Sequence, residues 1–165
     1  MNAETSKTIA IDLGEVCGIA AGGRSYMLAG QVRPQRKRGE TIVAMLLKTL
    51  NEVQSALGAA RVIYTQPKRS SSAGSKRAMT ADLTGVIREW AEGHGLSCTS
   101  IAEPNLKKRF TGNGNASFEL MIAEAERRGF RPAGKAEAFA IALFHLAFVG
   151  QEVDGDFLSP LAEAL

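Results

Sequence analysis

The 165-residue sequence predicts a single α/β domain built on a mixed five-stranded sheet with helices on both faces. Three observations carry that expectation. Short apolar runs of strand length alternate with segments of helical spacing. The first three strands follow one another with no helix between them. The later strands are separated by helices, as parallel crossovers require. A chain of this length suits one domain that buries roughly 70% of its unfolded surface. Hydrophobic residues make up 45% of the chain and charged residues 22%, ordinary values for a globular protein.

The first strand is Thr8-Ile9-Ala10-Ile11-Asp12-Leu13-Gly14, an apolar run closed by an acid and a glycine. Val16 to Ala21 and Ser25 to Val32 form a hairpin around Gly22-Gly23. Arg33 to Gly39 is a basic loop. From Glu40 to Leu57, apolar residues at 42, 43, 46, 47, 50, 53 and 57 keep helical spacing, and Gly58 ends the helix. Arg61 to Gln66 is a short strand stopped by Pro67. Lys68 to Arg77, with four basic residues, Ser and Gly but no acid, reads as a mobile loop. A helix over about Ala78 to Glu92 puts Leu83, Val86, Ile87 and Trp90 on one face. Leu96 to Ile101 is the fifth strand, and Pro104 opens a one-turn helix carrying Lys107-Lys108-Arg109. The loop Thr111 to Asn115 leads to a helix from about Ala116 to Arg128, and the last helix spans Lys135 to Val149. Residues 1–150 make the domain; 151–165 make a separate acidic tail.

The net charge of +3 conceals a basic domain. The segment from Gly150 carries Glu152, Asp154, Asp156 and Glu163 with no Lys or Arg, so the rest holds 20 basic against 13 acidic residues. A basic excess implies a polyanionic partner, with nucleic acid ahead of a membrane surface. The candidate phosphate-contacting residues are Arg36, Lys37, Arg38, Lys68, Arg69, Lys76, Arg77, Lys107, Lys108 and Arg109. No aromatic residue lies inside these stretches, which favours duplex or junction backbone over stacking on single strands. No apolar run reaches the ~20 residues of a membrane span, and the first residues lack a signal peptide's pattern. With Cys17 and Cys98 expected free and reduced, the chain reads as cytoplasmic. His94 and His145 lie too far apart for a zinc site, and His145 reads as a core histidine.

Asp12 is the first candidate for chemistry. A carboxylate in an apolar strand is costly unless it binds a cation or accepts hydrogen bonds, and both readings stay open here. Gly14 and Gly18 let the backbone turn or approach a ligand closely.

Five pieces in order carry a resemblance: Ile11-Asp12-x-Gly14-x-x-x-Gly18, Val62-Ile63-Tyr64-x-Gln66-Pro67, Pro104 to Lys108, Thr111 to Ala116, and Ala136 to His145. Together they resemble the RuvC family of Holliday-junction resolvases in its compact, phage-type form, over Thr8 to about Phe148. The resemblance implies an RNase H-like fold, a homodimer, binding of four-way DNA junctions, and phosphodiester cleavage with Mg²⁺ or Mn²⁺. Such enzymes hold two ions about 4 Å apart between four carboxylates. Asp12 stands at the first-strand position and Glu137 at one of the two positions opening the last helix, as candidate catalytic and metal-binding residues. Thr65 and Gly134 stand at the other two, and Phe118 aligns with the family's lysine after the Gly-rich loop. With half the ligand charge gone, at best one weakly held cation between Asp12 and Glu137 is expected, and ordinary two-metal cleavage is expected to be lost. Glu15, Asp82 and Glu103 are nearby acids that would restore an active structure-specific endonuclease if they reached the site. An ATPase or sugar-kinase relative of the fold is set aside, because it needs two such domains and a second phosphate loop. Met79, Leu83 and Ile87 are expected to form an exposed apolar patch at the dimer interface.

Overall fold

The computed structural model describes residues 7–14, 16–29, 41–66 and 74–149. In chain order the elements are β1 (Thr8–Asp12), β2 (Val16–Ala21), β3 (Arg24–Ala29), α1 (Ile42–Leu57), β4 (Arg61–Gln66), α2 (Gly74–Gly93), β5 (Ser97–Ala102), α3 (Glu103–Thr111), α4 (Phe118–Arg127) and α5 (Lys135–Val149). The sheet runs β3-β2-β1-β4-β5. The first three strands form the expected antiparallel meander, and β4 and β5 add in parallel on the other side of β1. Ile11 pairs with Tyr64, so the next step along both strands sets Asp12 beside Thr65 at the end of the sheet.

β1 is covered on both faces, which is why its sequence is a continuous apolar run rather than an alternation. Ile9 and Ile11 point to α1 and α2, packing with Leu46, Leu50, Leu83 and Ile87. Ala10 points the other way, to α3, α4 and α5, packing with Phe110, Met121, Phe139 and Leu143. Helix α5 is apolar around most of its circumference, and its alanines let it lie close to the strands. The closest approach is at Gly18, where a Cβ would stand 1.9 Å from the carbonyl oxygen of Ala136. Gly18 thus admits a helix backbone rather than a ligand, and fixes where the first turn of α5 sits. At the far end, the buried Arg61 donates from Nε to Thr8 Oγ1 at 2.6 Å and from Nη2 to the Ala147 carbonyl at 3.5 Å. A cation there suits the negative end of α5.

Several expectations change. Helix α2 starts at Gly74, so Lys76 and Arg77 stand in its first turn rather than in a loop. Lys76, Arg77, Ala78 and Met79 are strong helix formers, and that propensity outweighs the adjacent serines and glycine. Helix α3 is nine residues rather than one turn, because Leu106 and Phe110 bury one face and Gly112, at φ 85°, caps the end. Helix α4 starts at Phe118, since the Ser117 hydroxyl accepts from the Leu120 amide at 3.2 Å. The expected apolar patch on α2 is not exposed at Leu83 and Ile87, which are fully buried against the sheet, while the Met79 side chain lies outside the described residues. Gly58 caps α1 in the left-handed conformation as expected. Cys17 and Cys98 are both free. Among the described residues, no helix is long and apolar enough to cross a membrane. Glu15, Arg36, Lys37, Arg38, Lys68, Arg69 and the acidic tail lie outside the described residues.

Candidate functional site

The end of β1 places Asp12 between β2 and β4. Thr65, itself buried on β4, donates its hydroxyl proton to Asp12 Oδ1 at 2.8 Å and accepts from the Leu13 amide at 3.3 Å. Its hydroxyl is therefore committed in both directions, and one oxygen of Asp12 is satisfied by a proton donor. Burial lifts the Asp12 carboxyl from the ordinary range to about 7. The Thr65 hydrogen bond pulls it back, Glu103 pushes it up by like-charge repulsion, and Lys135 lowers it by attraction.

That electrostatic neighbourhood brings β1, α3 and α5 together. Glu103, the first residue of α3, pairs with Lys107 one turn on at 2.9 Å. The Lys107 ammonium also stands 5.8 Å from the centre of the Phe139 ring, and the Lys135 ammonium stands 5.7 Å from the same ring. Glu103, Lys107 and Lys135 thus gather beside Phe139 at the end of the sheet that carries Asp12, with Glu103 and Lys135 near enough to bear on its carboxyl.

Glu137 is 7% exposed and differently engaged. Ser25 of β3 donates its hydroxyl to Oε1, and the Ala133 amide donates to Oε2 at 2.9 Å. Gly134, just before α5, faces Met27 of β3: a Cβ there would stand 3.2 Å from the Met27 sulfur. The side-chain space at Gly134 is thus bounded by a methionine. Asp82 is exposed on α2. Lys107 turns inward to its ion pair, whereas Lys108 and Arg109 are exposed on α3. Phe118, at the head of α4, is also exposed. His145 lies apart from this cluster: Arg128 donates to its Nε2, and Phe110 and Phe130 approach it edge-on.

Neither a protein-family profile nor a curated protein sequence matches the chain. Solved structures do. RuvC of T. thermophilus, solved in complex with a Holliday junction substrate, superposes with a TM-score of 0.60 over 84% of this chain and 91% of that one, at 20% identity. A second Thermus thermophilus RuvC structure gives a TM-score of 0.56 over 87% and 95% of the two chains, at 22% identity. This chain has the RuvC fold.

The RuvC resemblance implies divalent ions held by several carboxylates, and the described residues do not fit that group. Among the described residues, no group of three or more His, Cys, Asp or Glu side chains is placed to hold a metal ion. Among the described residues, Asp12 is partnered by Thr65, Glu103 by Lys107, and Glu137 by Ser25 and the Ala133 amide. A cation shared by Asp12 and Glu137 would compete with those donors for the same carboxylates. The arrangement can hold fixed positive charge and hydrogen bonds at the end of the sheet. The sequence pattern does not single out Lys135, Ser25 or Met27, since their roles depend on which strand meets the head of α5. The Glu103–Lys107 pair is legible in principle, as an acid four residues before a lysine on a helix.

Proposed function

We propose that this chain is a cytoplasmic, homodimeric DNA-binding protein of the RuvC type, recognising branched or duplex DNA of the Holliday-junction kind, from which ordinary two-metal cleavage has been lost. The observation that carries this reading is the bond from Thr65 to Asp12: a neutral hydroxyl stands beside Asp12 at the position where the resemblance implies a second carboxylate. Support for DNA comes from the basic excess of the domain, from the exposed Lys108 and Arg109, and from Lys76 and Arg77 in the first turn of α2. A helix N-terminus adds its own positive potential to such residues. The similar RuvC structure solved with a Holliday junction substrate supports the same class of partner. The dimer rests on the resemblance and on the near-twofold symmetry of junction arms, not on α2, where Leu83 and Ile87 are buried.

An active endonuclease is the competing reading, and the proximity of Glu103 to Asp12 is what favours it. The Lys107 ion pair weighs against it, because a metal would have to take Glu103 from its lysine. Labelled four-way junction and linear duplex, incubated with the full chain and Mg²⁺ or Mn²⁺, test both. Retarded but uncut junction is the expected result. Robust cutting that Asp12→Asn abolishes would overturn the loss of cleavage, and failure to bind either DNA would overturn the function.

A further inference from the structure

The cluster at the end of the sheet has a balance of charge that its individual bonds do not explain. Once Asp12 is ionised, above the pH of about 7 at which its carboxyl gives up its proton, Asp12 and Glu103 carry two negative charges against the two positive ones of Lys107 and Lys135. Where four carboxylates hold two divalent ions, the balance is also neutral, but the positive charge is borrowed from solution. Here it is covalently attached. Lys107 is held by Glu103, and Lys135 is the first residue of α5, a helix whose first turn is locked onto β2 where Gly18, the cross-strand partner of Asp12, meets the Ala136 carbonyl. Both ammonium groups lie against the ring of Phe139, which is itself buried in the core beneath them. The lysine positions are therefore set by packed elements, although Lys135 itself is exposed.

We infer that Lys135 replaces a metal ion: its ammonium, with that of Lys107, gives Asp12 and Glu103 their counter-charge, so that the chain meets DNA at this end without recruiting a divalent cation. A divalent ion approaching Asp12 meets the positive field of Lys135 and an oxygen already bonded to Thr65. Both raise the free energy of the ion-bound state. A phosphate group approaching the same place meets two ammonium groups in position, the sequence-independent contact that DNA backbone recognition uses. This inference rests on the DNA-binding reading for its partner, but its electrostatic core concerns the protein alone.

Titration of the full-length protein with Mn²⁺, followed by electron paramagnetic resonance of the free ion, isolates that core. Binding is scored as the part that Asp12→Asn removes, which sets aside ions held by other acids. The unaltered chain is expected to show no such part. Lys135→Gln, an exposed and uncharged change, should create one, at an affinity about ten-fold or more above that of the unaltered protein, because one positive charge beside a divalent ion is gone. The gain should vanish in Asp12→Asn/Lys135→Gln, and Lys135→Arg should behave like the unaltered chain. Asp12-dependent Mn²⁺ binding by the unaltered protein, or no gain in Lys135→Gln, would overturn the inference. A second arm measures anisotropy of linear duplex DNA in EDTA and in Mg²⁺ at matched ionic strength, where affinity should agree within about two-fold. A requirement for Mg²⁺ there would also overturn it. Absence of DNA binding in both buffers would instead sink the DNA-binding reading, with the Mn²⁺ result still deciding the role of Lys135.

Discussion

A methyl group at Gly18 has no room, because the Ala136 carbonyl oxygen would lie 1.9 Å from it and belongs to a helix backbone that cannot turn aside. Gly18→Ala is expected to lower stability by about 2–4 kcal/mol, read as a fall in the urea midpoint, since relief requires moving α5 rather than a side chain. The same shift would carry Lys135 and Glu137 away from the end of the sheet. A denaturation midpoint equal to that of the parent would show that α5 does not seat on β2 in this way. Part of this is legible in the sequence, where Gly18 marks a close approach, but what approaches is not. Asp12 shows the same limit. Its burial in an apolar strand demands a partner, and either a cation or a hydrogen-bond donor would satisfy that demand. Only the register of β1 against β4, which sets Thr65 beside it, selects the donor. Glu137 draws attention by its position opening the last helix, yet its partner Ser25 lies 112 residues away in sequence.

Between elements, Arg128 at the end of α4 ties α3, α4 and α5 together. Its guanidinium lies 4.7 Å over the Phe110 ring, donates to the Phe110 carbonyl at 3.2 Å, accompanies Glu124 at 3.0 Å and donates to His145 Nε2. An accepting Nε2 requires a neutral ring protonated at Nδ1. Burial, and then the charge of Arg128, hold the pKa of His145 below its ordinary value. The unfolded chain therefore takes up this proton first as pH falls. Its contribution to stability is complete above pH about 6.5 and declines as pH drops through that value toward the folded pKa. Asp12 acts in the opposite sense, because its raised carboxyl favours the protonated folded state as pH falls from about 7. The informative quantity is thus a difference between proteins. The stability of the parent relative to His145→Gln, measured by thermal unfolding, should shrink from pH 7.5 to pH 5. A difference that grows on acidification would contradict the neutral, accepting imidazole. At this scale the sequence is informative about the existence of every helix, through periodicity and glycine stops. It is less informative about where helices begin. The starts of α2 and α4 depend on propensity and on a serine cap, signals weaker than a hydrophobic face.

For the whole molecule, the basic excess lies along stretches beside strand ends, and DNA binding is expected to follow counterion release. Neutralising Lys68, Arg69, Lys76 and Arg77 together should weaken duplex binding and reduce the log–log salt slope by about 0.9 for each phosphate that is no longer neutralised. Anisotropy titrations between low and moderate salt read both effects. An unchanged affinity and slope would remove this stretch from the interface and leave α3, with Lys108 and Arg109, as the remaining described candidate. Assembly is a separate question at this scale. The apolar stripe of α2 that suggests an interface is the stripe that covers the sheet, because a helix crossing over between parallel strands must bury its face there.

The sequence by itself determined the α/β class, the five strands, the approximate helices and the mixed character of the sheet. These follow from local periodicity, from turn residues and from an ordered set of short motifs, all written in neighbouring residues. Tertiary structure alone decided that Thr65 bonds Asp12, that Ser25 holds Glu137, that Met27 borders Gly134 and that the head of α5 seats on Gly18, the cross-strand partner of Asp12. Those contacts join β1, β3, β4 and α5, elements far apart along the chain. Strand register and the seating of one helix bring them together, and neither is encoded in the spacing of any single segment.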